Sequence, residues 1–93
     1  MVFKDHMKSV AIIGGGIAGL TAAFNLQQRG VPVTLYEGSE RVGGVIRTVL
    51  EDGYLAECGP NTILEISPLI GKLIRDVDLE SRQLYSDPAA EKR

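Results

Sequence analysis

At 93 residues, with a formal net charge of −2 and 24% charged residues, the chain offers no electrostatic surface for nucleic acid. Hydrophobic residues make up 44%, an ordinary globular proportion, and no apolar stretch approaches the length of a membrane span. The lone Cys58 excludes an internal disulfide framework and fits a reducing compartment, so a cytoplasmic location is expected.

Met1 to Ser9 carries Lys4, Asp5, His6 and Lys8 and lacks the apolar centre of a signal peptide. Residues 1–8 read as a disordered lead or an added extension, with Met7 as an alternative start. Residues 9–93 read as one segment of a larger domain, because a complete doubly wound sheet needs about 150 residues or more. Alone, such a piece would leave one sheet face and one strand edge uncovered, which invites self-association.

Val10-Ala11-Ile12-Ile13 is a continuous apolar run, expected to form a parallel strand buried on both faces. Gly14-Gly15-Gly16-Ile17-Ala18-Gly19 follows, then a helix expected from Ile17 to Arg29 and stopped by Gly30 at C′. Val33 to Glu37 gives a second short strand, with Pro32 at or just before its start. This order is what holding a dinucleotide by its pyrophosphate requires. Gly14 permits the tight turn, Gly16 lets a phosphate approach the backbone, and Gly19 lets the helix pack against the strand. The helix N–H groups and dipole face the anion, and Glu37 can accept from both ribose hydroxyls. The bland alternative is a glycine turn that binds nothing, with Glu37 as a solvated strand end.

Gly38-Ser39-Glu40 leads to Arg41-Val42-Gly43-Gly44, where the second glycine pair is either another backbone approach to a cofactor or a plain turn. Arg41 reads as a surface or phosphate-facing cation. Val45 to Cys58 alternates as a hairpin around Asp52-Gly53, a dipeptide in which both residues tolerate positive φ. Gly59-Pro60-Asn61-Thr62 ends that pattern. Ser67 and Pro68 then mark the N-cap and first position of a second helix, whose Leu69, Ile70, Leu73, Ile74 and Val77 read as core. Ser81 to Arg93 is polar, carries Pro88 and reads as a linker, or as a segment whose partner strands lie outside these residues.

Taken together, Val10 to Gly19, Glu37 and Arg41-x-Gly43-Gly44-x-x-Arg47-Thr48 resemble the start of the flavin-containing amine oxidase superfamily, whose members bind FAD. Within it, Gly53-Tyr54 and Glu57-Cys58-Gly59-Pro60-Asn61-Thr62 are most similar to the protoporphyrinogen oxidase branch, as is the Ser86 to Arg93 end. The resemblance implies a Rossmann-like α/β fold: an FAD-binding βαβ unit, a β-hairpin and a helix, forming the incomplete N-terminal part of a larger FAD/NAD(P)-binding domain. It implies that Gly14, Gly15, Gly16, Ile17, Ala18 and Gly19 hold the pyrophosphate and that Glu37 and Gly38 lie at the adenosine ribose. Arg41, Gly43, Gly44 and Val45 would pass near the diphosphate, and Gly59, Pro60, Asn61 and Thr62 would line the ribityl and ring end. Many relatives carry an arginine where this chain has Val45, so a contact there runs through the backbone. Cys58 reads as a small buried residue.

The implied activity is oxidation of protoporphyrinogen IX to protoporphyrin IX in haem synthesis, with oxygen or a quinone reoxidising the flavin. The longer protein could then touch a membrane peripherally. No catalytic residue and no metal-ligating set is visible, and His6 in the lead is not assigned a role. Three alternatives stand beside it: another branch of the superfamily (an amine oxidase or phytoene desaturase-like enzyme), an NAD-dependent dehydrogenase segment, or an inactive fragment that only self-associates. NADP fits less well, because Glu37 would repel a 2′-phosphate.

Overall fold

In the computed structural model, residues 8–89 are described; the expectations for His6, the rest of the lead, and Ala90 to Arg93 lie outside them. The chain divides into two compact units, Met1–Asn61 and Thr62–Arg93.

The first unit opens with β1 (Val10–Ile13), α1 (Ile17–Gln28) and β2 (Val33–Tyr36). β1 and β2 pair in parallel, Val10 with Val33 through Ile13 with Tyr36. The ladder is extended at both ends, by Val10 N–H donating to the Pro32 carbonyl (2.9 Å) and Gly14 N–H to the Tyr36 carbonyl (2.7 Å). Pro32 therefore stands just before β2, where only its carbonyl is needed. α1 ends as its sequence predicts, with Arg29 as C-cap and Gly30 at φ +77°.

α1 packs on both strands. Its Leu20, Ala23 and Phe24, one helical turn or less apart, are half-buried, as are Val10, Ile12, Val33 and Leu35 on the strands. The expectation that β1 is buried on both faces is not met. Ala11, Ile13, Thr34 and Tyr36 alternate outward, and Ile13 is 82% exposed. The cause is the layer count: two strands with one helix cover one face only, and no apolar side chain is fully buried among the described residues.

β3 (Thr48–Glu51) and β4 (Tyr54–Glu57) form the expected antiparallel hairpin, with Asp52 and Gly53 both at positive φ (52° and 80°). Cys58 N–H donates to the Arg47 carbonyl (2.8 Å) and prolongs the pairing by one residue. Val45 and Ile46 fall outside the hairpin, because Gly43 at φ +112° and Gly44 at φ +58° turn the chain and Ile46 N–H closes that turn on the Gly43 carbonyl (3.0 Å). Cys58 is exposed, correcting the expectation of burial. It follows a strand whose residues are all exposed, so no layer covers it within the unit.

In the second unit, α2 (Pro68–Asp76) starts as the sequence predicts. Ser67 Oγ accepts from Leu69 N–H (3.2 Å) and Pro68 occupies the first turn. Ile70, Leu73 and Ile74 are half-buried, whereas Leu69 and Val77, expected in the core, are exposed. In the region expected to be a linker, a 3₁₀ turn forms at Glu80–Arg82, and the Gln83 amide donates to Glu65 (2.8 Å). No helix among the described residues is long and apolar enough to cross a membrane.

The closest packing in the first unit is backbone on backbone. A Cβ on Gly19 would collide with the Gly14 carbonyl oxygen. Gly19→Ala should therefore lower stability by about 1–3 kcal/mol, despite alanine's better helix propensity. Thermal unfolding followed by circular dichroism checks this; an unchanged or higher midpoint would show that α1 can lift off β1 at no cost.

Candidate functional site

The site grows out of the end of β1. Gly14, at φ +101°, turns the chain out of the strand, and Gly16 is the N-cap of α1 in extended geometry. Between them, Gly15 is the one buried residue among those described. Its N–H donates to Glu37 Oε1 (2.8 Å), and its carbonyl accepts from Gly43 N–H (2.7 Å). Gly15 thus joins the first glycine loop both to the end of β2 and to the second glycine pair. A Cβ there would lie 3.0–3.2 Å from Val42, Glu37 and Leu35 side-chain atoms.

Glu37 is the charged centre of this arrangement. Oε2 accepts from Ser39 N–H (2.7 Å) while Oε1 holds Gly15. These two backbone donors, Ser39 first and Gly15 second, lower its pKa from 4.5 to about 2. Each oxygen keeps a second lone pair, so the carboxylate can still accept from a ligand hydroxyl.

Arg41 faces inward onto its own loop. Nη1 donates to the Val42 carbonyl (2.9 Å) and Nη2 to the Gly44 carbonyl (2.7 Å). Gly44 passes close to the first loop: a Cβ there would sit 3.3 Å from Gly16 Cα. The Val45 side chain is 71% exposed, and its carbonyl lies where a Cβ on Gly59 would collide. Three glycine segments are therefore stacked: Gly59 on Val45, Gly44 on Gly16 and Gly43 on Gly15. Gly38 is exposed beside Glu37, and Pro60 and Asn61 continue from Gly59; Thr62 belongs to the second unit.

The rim fits an anionic ligand. α1 begins with no side-chain cap and no acidic residue in its first turn, so the N–H groups of Ile17, Ala18 and Gly19 lack the partners a capped helix supplies. Nothing lies within 4 Å of the space a Cβ on Gly16 would take. A shallow open depression beside this edge is lined by Glu37, Ser39, Glu40, Arg41, Gly44 and Arg47.

Sequence reasoning missed Ser39, whose N–H fixes Glu37 and whose hydroxyl donates to the Arg41 carbonyl (2.7 Å). The available signal was its place two residues after an acid, where a side-chain carboxylate can reach a backbone N–H.

A parallel strand pair, a glycine turn into a helix and a carboxylate after the second strand define a βαβ dinucleotide-binding element. Residues 17–93 match the family described as flavin containing amine oxidoreductase, and the chain belongs to that family of flavin-dependent oxidoreductases. The chain is 40% identical over 86 residues to protoporphyrinogen oxidase 2 of Arabidopsis thaliana, covering 92% of this chain and 16% of that protein. It is 46% identical over 83 residues to a coproporphyrinogen III oxidase of Bacillus subtilis (83% and 18%). It is 37% identical over 85 residues to an L-amino acid oxidase of Lachesis muta (89% and 16%). Among solved structures, wild-type putrescine oxidase bound to putrescine superimposes with a TM-score of 0.67 at 32% identity, over 76% of this chain and 16% of that one. The chain thus spans about a sixth of the length of the relatives it matches.

The Glu37 contacts carry a pH signature. An unfolded Glu37 takes up a proton near 4.5, and the folded one resists until about 2. Its stabilisation is therefore complete above pH 4.5 and fades as pH falls toward 2. Glu37→Gln should remove that component, flattening the acid limb of the unfolding midpoint measured against pH. Parallel acid limbs in the two proteins would contradict the assignment.

Proposed function

We propose that this chain is the part of an FAD-dependent porphyrinogen oxidase that holds the diphosphate and adenosine half of the cofactor. The observation that carries this reading is the junction at Gly15, where the first glycine loop, the second glycine pair and the Glu37 carboxylate meet at one uncapped helix N-terminus. Backbone N–H groups from Gly14 to Gly19 and at Gly43, Gly44 and Val45 would face the diphosphate, and Glu37, beside Gly38, the ribose. Arg41 would stand beside the diphosphate region, and Gly59, Pro60, Asn61 and Thr62 would lie toward the ribityl and ring end. Bound there, the flavin would supply a ring that accepts a hydride equivalent from the substrate. The residues of this chain bind and orient; no catalytic acid or base is assigned to them.

The porphyrinogen branch is favoured by 37–46% identity to protoporphyrinogen and coproporphyrinogen III oxidases. In this reading the whole enzyme oxidises protoporphyrinogen IX or a related porphyrinogen, with oxygen or a quinone as acceptor, and the 93-residue chain alone turns over nothing. An amine or amino acid oxidase is the second reading, supported by 35–37% identity to L-amino acid oxidases and by the putrescine oxidase likeness.

The test is quenching of FAD fluorescence by the purified chain, with NAD as the competing ligand. FAD is expected to bind in preference to NAD. Gly16→Ala should keep the fold but weaken FAD by about tenfold or more, because the new methyl group occupies the open approach to the backbone. Binding of NAD without FAD would overturn the proposal. A chain that binds neither and only self-associates would favour the inert-fragment alternative.

A further inference from the structure

We propose that Arg41 is a positioning residue: its guanidinium shapes the Gly43-Gly44 loop by holding that loop's own carbonyls, instead of meeting the ligand's phosphates. The identity of the ligand rests on the flavin-nucleotide reading above, whereas the contacts of Arg41 do not.

Nη1 and Nη2 are committed to the Val42 and Gly44 carbonyls at 2.9 and 2.7 Å, with the Ile46 carbonyl at 3.5 Å from Nη1. Two carbonyls two residues apart in sequence and both turned to one side match a planar fork of N–H donors. An ammonium group, a single point on a flexible stem, cannot grip both in the same way. The loop needs such a grip, since consecutive positive φ values at Gly43 and Gly44 turn its carbonyls away from any regular ladder.

The spacing of the Arg-x-Gly-Gly run follows from this contact. A Cβ on Gly43 would lie 2.9 Å from Arg41 Nη1, so a side chain there would push the guanidinium off its present position. The opposite side of Gly43 is held by its N–H on the Gly15 carbonyl. Arg41 is itself fixed from behind, because Ser39 Oγ donates to its carbonyl and Ser39 N–H donates to Glu37. A continuous line of contacts therefore runs from Gly15 through Glu37, Ser39 and Arg41 to Gly44 and back to Gly15 through Gly43. The neighbouring depression has Arg41 and Arg47 against Glu37 and Glu40, so it carries no excess of positive charge that would mark Arg41 as a lone phosphate anchor.

The test compares Arg41→Lys with Arg41→Gln in the full chain, using amide hydrogen exchange without ligand and FAD binding at two salt concentrations. Both substitutions should speed exchange of the Gly43 and Ile46 amides by about tenfold, leave the β3–β4 hairpin amides unchanged, and weaken FAD equally. The salt dependence of FAD binding should match that of the unsubstituted chain, since no direct ion pair with phosphate is lost. Retention of normal exchange and binding by the lysine variant alone would overturn the proposal and assign Arg41 a charge role. So would unchanged Gly43 and Ile46 exchange in both variants. Should the glutamine variant not fold, the lysine variant decides alone. If the unsubstituted chain binds no FAD, the functional reading fails while the exchange measurement still decides the role of Arg41.

Discussion

The first unit depends on Gly15 being gripped from two sides. Its N–H is held by a carboxylate at the end of β2 and its carbonyl by an N–H from the second glycine pair. With no fully buried apolar side chain among the described residues, hydrophobic burial alone does not fix the relative placement of these loops. Directional hydrogen bonds do, and they work at this range because the chain is bare where the loops touch. The glycines at two contacts are required for proximity: Gly19 against Gly14 and Gly59 against Val45 leave no room for a side chain, while Gly44 against Gly16 is tight.

That grip links stability to binding. Glu37 holds the glycine loop in shape through two backbone donors, and its remaining lone pairs leave the same carboxylate able to accept from the ligand hydroxyl of the proposed function. The helix N-terminus beside it is uncapped and lacks acidic residues in its first turn. An anion placed there would meet donors already oriented, with little ordering left to do on binding. This economy suits a cofactor whose middle is a diphosphate.

Much of this was legible in the sequence because local chemistry decides it. Asp52-Gly53 fixes the hairpin turn, Ser67-Pro68 the start of α2, and Gly30 the end of α1, each through residues within a few positions of one another. The glycine loop and Glu37 were legible for the same reason, their spacing being set by one βαβ unit. Burial was not legible, since it depends on which layers cover an element. Ile13 and Cys58 carry apolar character in the sequence yet lie exposed. The inward turn of Arg41 was also hidden, because a cation beside two glycines fits a phosphate contact as well as a fold onto its own carbonyls.

Under the proposed function, the stacked glycine loops form one nucleotide-facing surface. The decisive measurement maps amide chemical shifts of the isotope-labelled chain during titration with ADP, the adenosine diphosphate part of the proposed FAD. Shifts should concentrate at the amides of Gly16 to Gly19 together with Gly43 and Gly44, leaving the β3–β4 turn and α2 silent. Saturable binding whose shifts fall on α2, or on Gly16 to Gly19 without Gly43 and Gly44, would contradict it.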